Sequence, residues 1–234
     1  MLVRCVWEHH GEDTLLYAAD FPGAYTRGNG LKEALEKMPA EIQSYQRWLG
    51  QTPDEIIEID IVQEKESELE VRDADSDVLF DRERLPLTRE EYDRLKALAL
   101  KSARDFLALY QAVPDENTSC LPARNTFYGA VPRTAREMYE HTKSVNAYYF
   151  GEVDANADNE GSILECRERG FAQLESQKDF LLSQPLEGSY GEEWSVRKVI
   201  RRFIWHDRIH AKAMYRMAQK TFATANLPDP FCFD

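Results

Sequence analysis

The sequence predicts an α+β protein in which a small N-terminal ββαβ layer precedes a four-helix bundle. Two observations carry this prediction. In roughly the first 70 residues, short β-prone runs flank one helical stripe. From residue 88 onwards, four longer stretches repeat apolar residues every three or four positions. We therefore expect domains at 1–70 and 88–226, an acidic linker at 71–87 and a C-terminal tail at 227–234.

The N-terminal layer is predicted from its turns and its alternation. Residues 2–8 and 15–20 are β-prone and are separated by HHGED, so they predict a hairpin. The next stretch, FPGAYTRGNG, predicts a tight loop because proline and glycine punctuate it. A helical stripe at 31–49 contains Pro39, where a kink or break is expected. The partly alternating IIEIDIVQEKE at 56–66 predicts a further strand.

About the first 75 residues resemble the HicB-like family. The resemblance rests on DFPGAYTRGNGLKEALEKMPAEI, in which an acidic residue and a Pro-Gly loop precede EAL in a helix. It implies a ββαβ fold, and such proteins often act as antitoxins that bind a small ribonuclease and operator DNA. Here a long helical region follows in place of a DNA-binding segment. We therefore favour a structural or oligomerising module, with an antitoxin-like, partner-binding role as the alternative.

The acidic stretch 71–87 is expected to be a solvated linker, because it is dense in Asp and Glu and holds only a few apolar residues. The first bundle helix is predicted to begin at Thr88, with Glu91 completing a capping box. The helices that follow are predicted from their inward stripes, which are Tyr92, Leu95, Ala99, Ala103, Phe106 and Tyr110; Met138, His141, Val145 and Tyr148; Leu164, Phe171, Leu174 and Leu181; and Val199, Phe203, His206, His210, Met214 and Met217.

Three of the five histidines, His141, His206 and His210, fall on these predicted inward faces. An i, i+4 pair on one helix and a third ring from a neighbouring helix form a three-histidine site with an open coordination position, the arrangement of catalytic zinc. We expect a divalent metal ion there, zinc first and nickel as the alternative. The competing interpretation is three unrelated core histidines. His9 and His10 are adjacent, and adjacent strand residues point to opposite faces, so they cannot easily bind one ion together. Because they lie beside a turn, we expect them to be solvated loop residues.

From 88 to 225 the chain resembles the DinB-like superfamily, through WSVRKVIRRFIWHDRIH in the fourth helix and TAREMYEHTKSVNAYY in the second. The resemblance implies a four-helix bundle with His141, His206 and His210 as metal ligands. It also implies metal-dependent thiol chemistry, such as an S-transferase activity, or a hydrolase activity. The chain departs from the family where Asp207 replaces a glutamate and Ile209 replaces a frequent histidine.

Further candidates surround this expected site. Glu137 and Asp207 could orient the ligands, although a surface carboxylate is the more ordinary role for Asp207. Tyr139, Tyr148 and Trp205 could line a pocket, although aromatic core is the default for each.

Composition limits the expected partners. The formal charge of −13 argues against binding nucleic acid or anionic lipid. No apolar run is long enough for a membrane span, and the four cysteines are scattered, so a cytoplasmic, reduced protein is expected. The remaining partners are a low-molecular-weight thiol or other small molecule, and a second copy in a homodimer, as DinB-like bundles often form. A metal-sensing module without catalysis stays open.

Overall fold

The fold combines five α-helices with a small N-terminal sheet in the computed structural model, which describes residues 1–126 and 129–233. The predicted α+β class is therefore confirmed. Phe127 and Tyr128 of the expected loop, and Asp234 of the expected tail, lie outside the described residues. No helix within the described residues has the length and apolar character needed to cross a membrane.

The sheet has four strands in the order β3-β2-β1-β4, with β1–β2 and β2–β3 antiparallel and β1–β4 parallel. The strands are β1 (Leu2–His10), β2 (Asp13–Ala18), β3 (Tyr25–Asn29) and β4 (Glu58–Glu66). The expected ββαβ order lacked β3, which occupies the second half of the predicted loop. Residues 19–24 form the connection between β2 and β3, and the residues after them pair with β2 from Tyr17↔Tyr25 onwards.

Helix α1 (Leu31–Trp48) runs through Pro39 as a single helix. Its buried residues pack on one face of the sheet, which presents Val3, Cys5 and Leu16. The opposite face presents Val6, Leu15 and Tyr17 to a second apolar cluster that includes Trp205. The sheet is thus covered on both faces, which is possible because its strands carry apolar residues at successive positions rather than only at alternate ones.

Four further helices follow: α2 (Arg89–Ala112), α3 (Ala135–Gly151), α4 (Ile163–Ser176) and α5 (Val196–Thr221). Both α2 and α3 pack against α4 and α5, as expected for a four-helix arrangement. The predicted capping box is confirmed, since Thr88 Oγ1 accepts from Glu91 N at 3.1 Å and Glu91 Oε2 accepts from Thr88 N at 3.0 Å. Pairs of two-residue strands are antiparallel before α3 and α5, β5 (Asn125–Thr126) with β6 (Gly129–Ala130) and β7 (Leu186–Glu187) with β8 (Glu193–Trp194).

Residues 71–87, the acidic segment, pack against α5, so the expectation of a solvated linker is wrong. The segment forms two short 3-10 turns, Val71–Asp73 and Asp81–Arg84, and buries several apolar side chains. Its carboxylates and carbonyls meet a basic face of α5: Glu83 Oε1 accepts from Arg201 Nε at 2.5 Å. Burial of the segment therefore follows from charge complementarity with a helix more than 100 residues further along the chain.

The residues beyond α5 also pack against the N-terminal layer. The ring of Phe231, which is fully buried, stacks on Trp48 of α1 with centroids 5.4 Å apart. Ser44 Oγ donates to the carbonyl of Cys232 at 2.6 Å. Together with the acidic segment, this packing leaves α5 buried on every side from Val196 to Arg208.

Candidate metal centre

The three histidines selected from the sequence converge on one point between α3 and α5. His206 and His210 lie one turn apart on α5, and their Nε2 atoms are 3.2 Å apart. His141 reaches across from α3, with its Nε2 3.3 Å from that of His206. The possible ligand atoms of the three residues all lie within 4.8 Å of one another. The structure therefore brings together all three predicted ligands.

The three rings differ in their access to solvent. His206 is buried at 8% exposure, His210 is half-buried and His141 is exposed. The expectation that His141 lies on an inward stripe is wrong, because the buried face of α3 is rotated towards Met138, Thr142 and Tyr149. His141 stands at the edge of that face. A small molecule can thus approach the three nitrogens from the His141 side.

Packing keeps the imidazoles neutral. Burial is the largest cause that lowers the pKa of His206 well below its usual value, and the nearby His210 and His141 add to it. Burial also lowers the pKa of His210 to about 3, with smaller contributions from His141 and the charge of Arg27. Even His141, exposed overall, has a lowered pKa because its ring is partly desolvated. Neutral imidazole is the form that binds a metal ion.

The geometry fits a metal ion. Two nitrogens bound to a tetrahedral zinc ion at roughly 2.0–2.1 Å lie about 3.3–3.4 Å apart, close to the separations of 3.2 and 3.3 Å in this structure. Three neutral imidazoles also suit zinc or nickel by their ligand chemistry. Without a cation, His206 Nε2 faces two other ring nitrogens at once, and a neutral ring nitrogen that accepts cannot also donate.

The surroundings of His206 differ from those of an ordinary metal ligand. Its Nδ1 is buried, and among the described residues no protein group accepts a hydrogen bond from it. Metal-binding histidines usually donate this second N–H to a carboxylate or carbonyl, which fixes the ring. Here the orientation of the ring is set by packing, including the Tyr149 ring at 6.1 Å between centroids.

Asp207, next in sequence, points away from the histidines and forms a buried ion pair with Arg167, at 3.1 Å from Nη1 to Oδ2 and 3.2 Å from Nη2 to Oδ1. The ordinary expectation of a surface carboxylate is therefore wrong for Asp207. Arg167 Nε also donates to Asn146 Oδ1 at 3.3 Å, so the pair joins α4 and α5 to α3. Its contribution to the centre is to hold these helices in place.

The other candidates have structural roles. Glu137 caps α3, since its Oε2 accepts from Arg133 N at 2.8 Å and from Thr134 N at 3.0 Å. Tyr139 stacks on Tyr110 with centroids 4.1 Å apart, and its hydroxyl accepts from Ile163 N. Trp205 is buried in the cluster beneath the sheet. For Tyr139 and Trp205 the default of aromatic core is confirmed, whereas Tyr148 is 37% exposed.

His9 and His10 lie at the end of β1 rather than in a loop, and neither belongs to the centre. His9 is half-buried, stacks on Trp7 with centroids 4.2 Å apart and places Nε2 3.1 Å from Glu64 Oε1. His10 Nδ1 is 2.9 Å from the carbonyl of Leu69. Of the two, only His10 is exposed, so the expected solvated position does not hold for His9.

A surface cavity of about 510 Å³ lies further along α3, lined in part by Tyr148, Glu152 and Gly188. Tyr148 is seven residues, or roughly 10 Å, along the helix from His141. None of the three histidines lines this cavity. It is therefore a neighbouring feature of α3 and not the mouth of the metal centre.

Sequence reasoning did not consider Arg27 of β3, whose positive charge contributes to the lowered pKa of His210. The sequence carried no local signal for it, because its position depends on a strand predicted to be a loop.

Comparisons of the chain with protein-family models, with curated proteins and with solved structures found no match. The case for function therefore rests on the residues and the geometry described above.

Proposed function

We propose that this chain is a divalent-metal-dependent protein in which His141, His206 and His210 bind the ion, with zinc as the first choice and nickel as the alternative. One observation carries the proposal: three neutral imidazoles point their Nε2 atoms at one another, at 3.2 and 3.3 Å. This ligand set leaves a coordination position open, because three protein ligands occupy only three of the four sites of a tetrahedral ion.

The proposal includes the two family resemblances. A DinB-like identity for the bundle is supported by the position of the triad, with one histidine on the second bundle helix and two on the fourth. A HicB-like identity for the N-terminal layer is supported less directly, because the sheet has an additional strand before its helix. Within this proposal the reaction is transfer of a low-molecular-weight thiol, or a hydrolysis.

The protein's own residues prepare the site. Helix α5 holds His206 and His210 at a fixed spacing, and burial keeps both rings unprotonated. His141 leaves the approach from solvent open. A divalent ion bound here supplies a Lewis acid that lowers the pKa of a thiol or water molecule, giving a nucleophile at neutral pH.

A metal-sensing role without catalysis is the second candidate. It is favoured by the fact that the ligands come from two helices, so that an ion would tie α3 to α5. Turnover separates the two roles. A zinc-loaded protein that transfers thiols to electrophiles, or hydrolyses esters or amides, is an enzyme. One that binds the ion tightly and shows no turnover on such a panel fits the sensor.

Metal analysis tests the proposal. Protein made without an affinity tag is stripped with a chelator, dialysed against zinc or nickel and assayed for bound metal by mass spectrometry. We expect about one ion per chain in the wild type, the ratio for a mononuclear site, and little in His141→Ala. His9→Ala is the matched control and should bind like the wild type. Wild-type protein without metal, or an unaffected His141→Ala variant, would overturn the proposal.

A further inference from the structure

The cavity beside the last turn of α3 differs in its chemistry from the metal centre. Its walls come from the C-terminal end of α3, the residues just after it, and strand β7 with the turn that follows. Its volume of about 510 Å³ lies in the range of small-molecule sites. Three of the side chains that line it are carboxylates, those of Glu152, Asp154 and Glu187, and none is a lysine or arginine. The cavity is therefore a concave, acidic site.

These three carboxylates are not neutralised by the protein. Across the part of the chain that the structure describes, no lysine, arginine or histidine forms an ion pair with any of them. The buried Lys198 lies over the ring of Trp194 at 4.8 Å, but its ammonium is paired with Glu192 at 2.8 Å. The negative charge of the cavity is thus available to a cation from solution.

Glu152 is the most constrained of the three carboxylates. It is only 7% exposed although it lines the cavity. Its Oε2 accepts from Ser189 N at 2.8 Å, whereas its Oε1 has no hydrogen-bond partner among the described residues. A buried carboxylate is costly unless it is paired and hydrogen-bonded, and an ionised one has room for about four hydrogen bonds. One oxygen therefore fixes the side chain, and the other is left for a ligand.

Gly188 makes room for this carboxylate. A Cβ atom at residue 188 would collide with Glu152 Oε2 and would lie 2.6 Å from Trp194 Cδ1. Gly188 is held in place because its N–H donates to the carbonyl of Glu192 at 2.9 Å. A side chain here would push Glu152 out of the wall, so the glycine preserves the shape of the site.

Two further features of the wall favour a cation. Helix α3 ends at Gly151, and the C-terminal end of a helix carries a partial negative charge. The ring of Tyr148 is 37% exposed and is supported edge-on by Trp194, with centroids 5.9 Å apart. Aromatic faces attract ammonium groups. The carboxylates, the helix end and the ring therefore all attract positive charge.

We propose that this cavity binds an organic polyamine, a small molecule that carries two or more ammonium groups. Glu152 Oε1 accepts a hydrogen bond from one ammonium group, and Asp154 and Glu187 attract the others. The volume and the aromatic wall favour an organic cation over a metal ion, which needs only a small cluster of oxygen ligands. The proposal does not depend on the metal centre, because none of the three histidines lines the cavity.

Calorimetry with three probes tests the proposal. Protein stripped of metal with a chelator, so that no amine binds to an ion, is titrated at about 0.15 M salt, where surface charges are largely screened. The probes are putrescine, butylamine and butanediol, which carry two, one and no ammonium groups on the same carbon chain. We expect putrescine to bind about tenfold more tightly than butylamine, as one charge-assisted contact provides, and butanediol to give no binding.

Substitutions and nuclear magnetic resonance locate the binding. Glu152→Gln keeps an acceptor for Ser189 N and removes the charge, so it should weaken putrescine binding about tenfold. Glu187→Gln is a second variant at an exposed position, where folding is unaffected, and should weaken binding by a smaller factor. Glu58→Gln, at the start of β4, is the matched control and should bind like the wild type. Putrescine should also shift the amide resonance of Ser189.

Each outcome decides the question. Absence of putrescine binding, equal binding of putrescine and butylamine, or a loss of affinity in Glu58→Gln as large as that in Glu152→Gln overturns the proposal. If calcium chloride shifts the Ser189 resonance and putrescine does not, the cavity is a metal-ion site and the proposal is again overturned. If the chain binds putrescine as expected but binds neither zinc nor nickel, the proposed function fails and this inference stands.

Discussion

The two sides of α5 bury polar groups in opposite ways. On the side facing the acidic segment and α1, buried cations each donate to a protein acceptor; these are Lys198, Arg201, Arg202 and Arg208. On the side facing α3, His206 Nε2 instead lies within hydrogen-bond distance of the ring nitrogens of His210 and His141. Both sides are polar and largely buried, yet only the first is matched by groups of opposite charge.

The matched side holds the molecule together. Arg201 pairs with Glu83 and stacks on Phe80 at 3.9 Å from the ring centroid, while Arg208 Nη2 donates to Glu41 Oε1 at 2.7 Å. Glu83 lies in the acidic segment and Glu41 in α1. These contacts fix the N-terminal layer and the bundle to one helix. Removing one member would leave the other buried and unpaired.

On the unmatched side, the histidines of α5 have no partner of opposite charge among the described residues. Buried polar groups in folded proteins are normally hydrogen-bonded, so three ring nitrogens that converge on one point need an explanation, as does His206 Nδ1, which has no partner among the described residues. A cation is the simplest one for three neutral imidazoles. The contrast separates residues that support the fold from residues that bind a ligand, and four predictions test it.

The largest effect is expected on the matched side. Arg201→Ala should lower the free energy of unfolding by about 3–5 kcal/mol, because Glu83 is left as a buried, uncompensated charge. Urea unfolding measures this loss, and metal binding by the folded fraction should be unchanged. As a control, Arg201→Met combined with Glu83→Leu should recover most of the stability. If Arg201→Ala is as stable as the wild type, the ion pair on this side of α5 does not stabilise the fold.

The next effect belongs to the unmatched side. His206→Gln should weaken zinc binding by at least about 100-fold, since even loss of a ligand's outer partner lowers affinity 10–100-fold. The stability of the metal-free protein should fall far less than in Arg201→Ala. Competition with a chromogenic chelator measures the affinity. Equal zinc binding by the variant and the wild type would remove His206 from the ligand set.

Acid should distinguish the two sides as well. The pKa of folded His206 is lowered, so the unfolded chain binds a proton below about pH 6.5 that the folded chain does not. Stability is therefore lost as the pH falls, and His206 alone should contribute about 2 kcal/mol of that loss between pH 7 and pH 5. Urea unfolding of metal-free wild type and His206→Gln at both pH values measures the difference. If the wild type and His206→Gln lose the same free energy of unfolding between pH 7 and pH 5, the prediction is contradicted.

The smallest effect is expected at an exposed pair that resembles the matched side only in its chemistry. Arg84 Nη1 donates to Glu193 Oε1 at 2.8 Å, but both side chains are exposed. Arg84→Gln should change the free energy of unfolding by less than about 1 kcal/mol, as solvent screens such pairs. Urea unfolding checks this value. A loss as large as that of Arg201→Ala would show that burial is not what distinguishes the two pairs.

The sequence predicts the parts of this molecule that depend on local spacing. The helical stripes of α2 and α5, the capping box at Thr88 and the pairing of His206 with His210 all follow from residues three or four apart. An amphipathic helix buries the same stripe whatever covers it.

The features that escape prediction depend on partners far along the chain. Arg201 and Arg208 of α5 are buried because they pair with Glu83 and Glu41, which lie more than 100 residues earlier in the chain. Strand β3 has only weak β propensity and is held by pairing with β2. His141 shares the spacing of an inward stripe, yet α3 is rotated by packing that its own sequence does not encode.

Helix α5 has a consequence for how the chain folds as it is made. Its partners, the sheet, α1 and the acidic segment, leave the ribosome more than 100 residues before α5 does. Until then Glu83 and Glu41 have no arginine to pair with. The sheet face that presents Val6, Leu15 and Tyr17 is also not yet covered by Trp205. We expect the nascent N-terminal layer to stay loosely packed and to expose apolar surface, as chains with distant contacts do. Docking of α5 would then complete both halves of the protein in one late step.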